Sequence, residues 1–383
     1  MDVLQRQGKT DELEALYREG LGPEQELPAS TGLARMLAIL GDKLRDAGKP
    51  AEAEPLFREG LDICRKVSPN DFEQRQWLAA GLARVLRTQG KLAEAGPFYR
   101  EAVTNSAKLR PNDPASWQWQ VNDLADVLQS QGKFAEAEKL LAEVLKPAAQ
   151  AQPQGTGALR IWVSLSGRQG RWKDAATNLD KLLEVDPSDA YAHLQLAALL
   201  AETGDLGAYR AHCRKMLARF GGTNDAAILG QTAIACLLVP GASGDLETAS
   251  QLAGKAVTLG KDSAWLSFFQ FGNGLAEYRR GQYASAVDWM RKVIGQPMSV
   301  GRSLPAWQRD TAAYSVLAMA QHQLKQAEEA RAALAKASEF AQTKLPQLGS
   351  DNLEQDWVDW LIAHILLSEA KALVNGELKT STQ

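Results

Sequence analysis

Apolar residues recur along most of the chain at intervals of three and four positions, with polar residues between them. Before Gly90, for example, Leu78, Leu82, Val85 and Leu86 follow this spacing, and the stretch after the glycine has the same periodicity. Such a stripe is typical of an amphipathic helix. A glycine between two stripes suits the left-handed turn that ends a helix. The pattern therefore predicts two helices joined by a short turn.

This helix–turn–helix pattern repeats along the sequence. Three segments align without gaps, and their glycines are 42 residues apart both times: DAGKPAEAEPLFREGL at 46–61, TQGKLAEAGPFYREAV at 88–103 and SQGKFAEAEKLLAEVL at 130–145. Looser copies begin at Gly170, Gly204, Gly244 and Gly281, and one without the glycine begins at Lys325. Because one helix pair cannot bury its apolar stripes alone, the units must stack on their neighbours.

The regularity of the repeats divides the chain into three predicted parts. Residues 1–150 form an array with constant spacing, residues 151–345 form further, less regular units, and residues 346–383 form a capping helix with a polar tail. We expect the first repeat to be truncated, because DVLQRQGK near the N-terminus matches DVLQSQGK in the middle of a later helix.

The units resemble tetratricopeptide repeats. GRWKDAATNLDKLLEVDP has the small residue of that family at Ala175, its bulky residue at Leu179 and its closing proline at Pro187. The copies with 42-residue spacing are similar to the longer repeats of kinesin light chain. The resemblance implies an all-α, right-handed superhelical solenoid of about eight antiparallel helix pairs, with a C-terminal capping helix.

A second resemblance concerns the C-terminal half of the chain. LLAETGDLGAYRAHCRKMLARFGG at 199–222 and AYSVLAMAQHQLKQAEEARAALAKA at 313–337 are similar to the C-terminal repeat region of large bacterial serine/threonine protein kinases. The glycine-rich loop and the H-R-D and D-F-G motifs of a kinase domain are absent. The resemblance implies the accessory region of a bacterial signalling kinase.

Charge and composition exclude several partners. The formal net charge is −3, so no overall basic field favours nucleic acid or an anionic membrane. The longest apolar run near the C-terminus has seven residues, whereas a membrane span needs about 20. Three cysteines give no disulfide framework, and the N-terminus does not resemble a signal peptide. We therefore expect a cytoplasmic protein.

No catalytic or metal-binding pattern emerges from the sequence. Lys91 follows Gly90, but the next residue is Leu92 rather than the Ser or Thr of a phosphate-binding loop. The histidines fall on different predicted helices, without the paired spacing of a helical zinc site. We expect neither catalysis nor a cofactor, a metal or a small-molecule substrate.

The resemblance to tetratricopeptide repeats implies a ligand-binding groove lined by the first helix of each pair. Its ligand-facing positions correspond to Trp77, Arg84, Arg87, Trp119, Asn122, Asp126, Gln129 and Arg160. Tryptophan supplies rigid buried area and arginine supplies directional charge pairing, which suits a peptide-binding groove. The alternative is that the tryptophans pack on neighbouring repeats and the arginines are only solvated. Trp162, Trp265 and Trp289 are predicted to fill core positions.

The C-terminal segment has two interpretations. Trp357, Trp360, Leu361 and Ile365 fall on one side of a predicted helix, which suits a cap over the last exposed face of the array. A partner-binding helix is the alternative. The inner face predicted around Phe268, Phe271, Leu275 and Tyr278 is apolar, and it is either a second contact site or the place where the C-terminal segment folds back.

Together these patterns predict a non-catalytic scaffold that binds partner peptides or helices in its concave groove. Two alternatives stay open. The array could be a structural spacer or a self-association module without a defined peptide ligand, or it could be part of an enzyme whose catalytic domain lies outside this chain.

Overall fold

A computed structural model describes residues 30–111, 113–131, 133, 136, 139, 156–241, 245–296, 307–347, 353 and 356–376. Within these ranges the chain is a succession of α-helices without strands, which confirms the all-α prediction. The helices are α1 (Thr31–Asp46), α2 (Pro50–Val67), α3 (Phe72–Thr88), α4 (Leu92–Leu109), α5 (Gln118–Ser130), α6 (Thr156–Arg168), α7 (Trp172–Val185), α8 (Ala190–Glu202), α9 (Leu206–Phe220), α10 (Ala226–Leu237), α11 (Leu246–Leu259), α12 (Leu266–Arg279), α13 (Tyr283–Val293), α14 (Trp307–Gln323), α15 (Ala327–Thr343) and α16 (Trp357–Asn375). A 3₁₀ turn at Pro114–Trp117 precedes α5.

The chain forms two compact units, residues 1–161 and residues 162–383. We call them unit 1 and unit 2. In unit 1, α1 packs on α2 and α3 packs on α4, as the helix pairs predict. In unit 2 the same pairing recurs in α10 with α11, α12 with α13, and α14 with α15. The predicted boundary between residues 150 and 151 lies outside the described residues.

The turn between the two helices of a pair explains why glycines recur at a constant interval in the sequence. Gly90 has a φ of 75° and Gly48 has a φ of 74°, a left-handed conformation in which a Cβ would be strained. The N–H of Lys91 donates to the carbonyl of Leu86 at 2.9 Å, which closes the end of α3. Lys325 takes the same place in the last pair, with a φ of 61° although it is not a glycine.

Aspartates and a serine start many of the helices. The Oγ of Ser30 accepts the N–H of Leu33 at 3.2 Å before α1, and Asp71 accepts the N–H of Gln74 at 3.0 Å before α3. A side-chain oxygen at this position satisfies a backbone donor that the first turn leaves free. The SPND segment between the first two pairs therefore ends one helix and caps the next.

Glycines also let the helices of unit 1 approach one another. Phe57 of α2 is fully buried and lies against Gly41 of α1 and Gly81 of α3. A Cβ added at Gly81 would lie 2.2 Å from the Phe57 ring, and one at Gly41 would lie 2.7 Å from it. The absence of side chains at these glycines gives Phe57 its place between three helices.

The C-terminal helix α16 packs on α14 and α15, the last pair of the array, as a cap would. It also contacts α8, which belongs to a much earlier pair. Buried residues occupy almost every side of α16, including Val358 and Ile362 as well as the predicted stripe around Trp360 and Leu361. Helix α16 therefore covers the last pair of unit 2 and also packs against an earlier pair.

Candidate functional site

The first helices of unit 1 enclose a cavity of about 300 Å³. Helices α1, α3 and α5 each contribute residues, so three successive helix pairs build the site. The lining consists of Asp42, Arg45, Glu73, Gln76, Trp77, Ala80, Gly81, Arg84, Arg110 and Trp119. The small residues Ala80 and Gly81 form part of its lining.

Trp77 is held in the cavity by its indole nitrogen. The Nε1–H donates to Oδ2 of Asp42 at 2.7 Å, and the other oxygen of Asp42 forms an ion pair with Arg45 at 2.6 Å. The indole is therefore fixed by a carboxylate that is itself paired. A tryptophan that is fixed before binding loses little conformational freedom when a ligand covers it.

Arg84 and Trp119 form the second part of the site. The guanidinium carbon of Arg84 lies 3.8 Å from the centre of the Trp119 ring, in a stacked cation–π arrangement. The Nε of Arg84 lies 3.6 Å from Oδ2 of Asp123. Trp119 is 36% exposed, so part of its ring is accessible to a ligand. This pair presents an aromatic face and a cation to a ligand.

Arg87 has a different environment one turn further along α3. Its Nη1 donates to Oδ1 of Asp123 at 2.7 Å, and Asp123 is buried. Arg87 does not line the cavity, although the family position predicted it in the groove. Its role in ligand binding remains a prediction.

The other predicted groove residues are less informative. Asn122, Asp126 and Gln129 lie on α5, but their side chains are outside the described part of the structure. Arg160 lies half-buried on α6 and is not among the residues that line the cavity. Whether these four residues bind a ligand stays a prediction.

Sequence reasoning did not include Glu73, Gln76 and Arg110 in the site. Arg110 follows α4 and reaches the cavity from an inter-pair segment, so the positions of first helices gave no signal for it. Among the described residues, its guanidinium has no hydrogen-bond or ion-pair partner. Three arginines and two carboxylates line the cavity, and Asp42 is already paired with Arg45. The site therefore favours a ligand with an anionic group.

A second and larger concavity, of about 910 Å³, lies in unit 2. It brings together two histidines that the sequence places on separate helices, with Nδ1 of His193 3.4 Å from Nε2 of His212. Each imidazole also has a backbone partner: His193 Nε2 lies 3.1 Å from the Pro187 carbonyl, and His212 Nε2 lies 3.0 Å from the His193 carbonyl. Burial lowers the pKa of both, that of His212 to about 4.

This histidine pair is a structural contact between α8 and α9. Both ring nitrogens of His193 and Nε2 of His212 have partners in this contact. Across the described residues, no group of three or more His, Cys, Asp or Glu side chains is arranged to hold a metal ion. The three cysteines are all free and buried.

The predicted core positions of three tryptophans need one correction. Trp265 is 44% exposed, because it lies at the N-terminal boundary of α12 rather than within the helix's apolar stripe. Trp162 and Trp289 are half-buried. The predicted inner face of unit 2 is apolar, since Phe271, Leu275 and Tyr278 are buried.

The stacked helix pairs define a helical-repeat protein. Models of the tetratricopeptide repeat match the sequence at residues 33–72, 120–146, 164–223 and 311–344. The chain therefore contains tetratricopeptide repeats in both units. This fold is that of a protein-interaction scaffold and is typically non-catalytic.

Two solved structures illustrate the similarity. A tetratricopeptide repeat protein from Parabacteroides merdae is 16% identical over 88% of this chain and 99% of its own, with a TM-score of 0.39. Yeast Tom70 is 14% identical over 97% of this chain and 74% of its own, with a TM-score of 0.44. No curated protein matches the sequence. None of the helices in the described ranges is both long enough and apolar enough to cross a membrane.

Proposed function

We propose that the chain is a non-catalytic scaffold whose unit 1 binds an extended, acidic peptide segment of a partner protein. The observation that carries this proposal is the pairing of Arg84 with the exposed Trp119 beside Trp77, in a cavity shared by three first helices. Tryptophan and arginine are the residues that most often dominate binding energy at protein interfaces.

The charges in the cavity support a ligand with a carboxylate. Arg110 has donors without a partner among the described residues, and Arg84 uses one face of its guanidinium for Trp119. An incoming carboxylate can pair with these groups without breaking the contact between Trp77 and Asp42. An aromatic or aliphatic side chain of the ligand can then cover the two indoles.

The cellular context is a further part of the proposal. The resemblance of residues 199–222 and 313–337 to the repeat region of bacterial serine/threonine kinases supports a cytoplasmic accessory role beside such a kinase. In that role unit 1 recruits a substrate or an assembly partner. Co-purification of a kinase with the wild-type chain, and its loss with Trp119→Ala, tests this context.

Selection from a random peptide library tests the binding site itself. The wild-type chain should enrich peptides that combine a carboxylate with an aromatic or aliphatic residue. Trp119→Ala and Arg84→Ala should each weaken the binding of an enriched peptide by about 30-fold, because truncation of such residues typically costs about 2 kcal/mol. Fluorescence anisotropy measures the change.

Matched variants elsewhere in the chain provide the controls. Trp265→Ala removes a tryptophan of similar exposure from unit 2, and Arg331→Ala removes an exposed arginine from α15. Both should bind the peptide as tightly as the wild type. Equal weakening by Trp119→Ala and Trp265→Ala would contradict the assignment. A chain that enriches no peptide and self-associates in light scattering would instead support the spacer alternative.

A further inference from the structure

Helix α16 contacts four of the first helices of the pairs, namely the C-terminal part of α6, α8, α12 and α14, and we call this surface the inner face of unit 2. The helix packs on α14 and contacts α8. Its N-terminal end reaches Gly167 on α6, and its C-terminal half reaches Arg279 on α12. The helix therefore follows the surface on which a solenoid of this kind can hold a helical ligand.

The N-terminal end of α16 is anchored by aromatic packing. Trp357 is buried, and a Cβ added at Gly167 would lie 2.3 Å from its ring. Trp172 packs against both Trp357 and Trp360, with ring centres 6.2 and 6.3 Å apart. The missing side chain of Gly167 thus forms a notch that fits one tryptophan.

A charge pair anchors the other half. Both guanidinium nitrogens of the Arg279 fork donate to the carboxylate of Glu369, one of them at 2.7 Å. Arg279 also donates to the carbonyls of Leu237 and Leu238, each at 2.8 Å. Leu237 and Leu238 lie outside α16. Their carbonyls therefore hold the Arg279 guanidinium in place for an incoming carboxylate.

Helix α16 also carries a half-buried carboxyl. Asp359 lies within α16, and burial together with the nearby Asp356 raises its pKa to about 7. No basic side chain pairs with Asp359 among the described residues. A cavity of about 200 Å³ remains beside Arg279, Tyr278 and Glu369, so this end of the groove is incompletely filled. Incomplete packing and an unpaired carboxyl both weaken the docked state.

We propose that the inner face of unit 2 is a helix-binding groove, that α16 is its intramolecular ligand, and that an amphipathic helix of a partner protein competes for it. The partner helix carries a large aromatic residue for the notch at Gly167. It carries a carboxylate about twelve residues later for Arg279, the separation between Trp357 and Glu369. This groove is separate from the cavity of unit 1.

A labelled peptide of residues 353–376 is the probe for the groove. Glu369→Lys in the full chain places a cation against Arg279 and should release α16 while leaving the groove intact. The peptide should bind this variant at least about tenfold more tightly than the wild-type chain, because docked α16 lowers the competent fraction of the wild type. The same peptide with Glu369→Lys should not bind.

Two further variants locate the binding. Ser368→Lys places a cation on the neighbouring, exposed position of α16 and should leave binding as weak as in the wild type. Adding Gly167→Ala to the Glu369→Lys chain fills the notch and should abolish binding. Adding Gly254→Ala instead should not, since a Cβ there meets its nearest neighbour at 3.6 Å.

If Glu369→Lys does not fold, hydrogen exchange of the wild-type chain tests whether α16 is displaceable. The amides of α16 should exchange through a local opening, faster than those of α12 and α14. Equal protection of all three helices would make α16 an integral part of the core and overturn the proposal.

A folded Glu369→Lys chain that binds the peptide no better than the wild type would also overturn it. A concentration-dependent dimer of the wild-type chain that exchanges α16 would assign the groove to a second copy instead of a partner.

Discussion

At the scale of single residues, two arginines on α3 have different environments. Arg84 stacks on the exposed Trp119 and lines the cavity, whereas Arg87 donates to the buried carboxylate of Asp123. Removing Arg87 leaves Asp123 without its closest cation, so stability changes together with any effect on binding. Arg84 is therefore the cleaner residue for a binding experiment.

The histidine pair of unit 2 gives a pH-dependent prediction. Burial lowers the pKa of His212 to about 4, and His193 and Lys215 face it as further positive groups. The stability from neutral His212 is complete above its unfolded pKa of about 6.5 and is lost as the pH falls through about 4. His212→Asn should reduce this acid-induced loss by up to about 3 kcal/mol. Calorimetric melting between pH 7 and pH 4 measures it.

His322→Asn is the matched control for that experiment. His322 lies half-buried near the end of α14 and has no role in the pair. The His322→Asn chain should therefore keep the acid-induced loss of stability that His212 contributes. If His212→Asn and the wild type lose the same stability on acidification, burial of the pair does not govern this response.

At the scale of helices, the packing of α2 against α1 and α3 depends on Gly81. Gly81→Ala places a Cβ 2.2 Å from the ring of Phe57, and such overpacking costs about 1–3 kcal/mol. Alanine recovers up to about 1 kcal/mol of that through its higher helix propensity. We expect a net loss of stability in unit 1, measured by urea denaturation with hydrogen exchange resolved onto residues 30–131.

Gly96→Ala in α4 tests the explanation with the same chemical change. A Cβ at Gly96 meets Gln131 and Val127 at 3.6 Å, an ordinary contact distance. This variant should be as stable as the wild type or more stable. A similar loss in both variants would show that backbone effects, rather than contact with Phe57, determine the stability.

The elements themselves were largely predictable from the sequence. The constant spacing of the glycines and the apolar stripes predicted the helix pairs, and Lys325 occupies a left-handed turn where the repeat pattern lacks its glycine. The sequence predicted α16 as a cap and offered the apolar inner face as a place where it folds back, but it did not specify the contacts with α6 and α8, because a helix that is buried on nearly all sides has no single stripe that identifies its partners. Pairing of His193 with His212 depends on how α8 and α9 align, which periodicity does not specify.

Three of the residues that line the cavity of unit 1 were predictable from the sequence. Family positions identified Trp77, Arg84 and Trp119, because first helices recur at a known place in each repeat. They could not identify Arg110, which lies on a segment between pairs. They also could not separate Arg84 from Arg87, because both reach Asp123 of the next pair and only Arg84 stacks on Trp119.

At the scale of the whole molecule, the first helices of the two units differ in what covers them. Those of unit 1 enclose a cavity with an exposed tryptophan and an arginine without a partner among the described residues, whereas those of unit 2 are covered by α16. We infer two recognition surfaces with different ligands: an acidic extended segment for unit 1 and an amphipathic helix for unit 2. In unit 1 we expect the ligand to bind at the first helices.

Site-specific photo-crosslinking tests whether the ligand of unit 1 binds at its first helices. A benzophenone amino acid is placed at Gln76, which lines the cavity, and in a separate chain at Phe98, which lies beside Arg58 of α2 on the second helices. A selected acidic peptide should crosslink to the chain with the probe at position 76 and not to the chain with the probe at position 98. Crosslinking at position 98 with none at position 76 would place the ligand on the second helices instead.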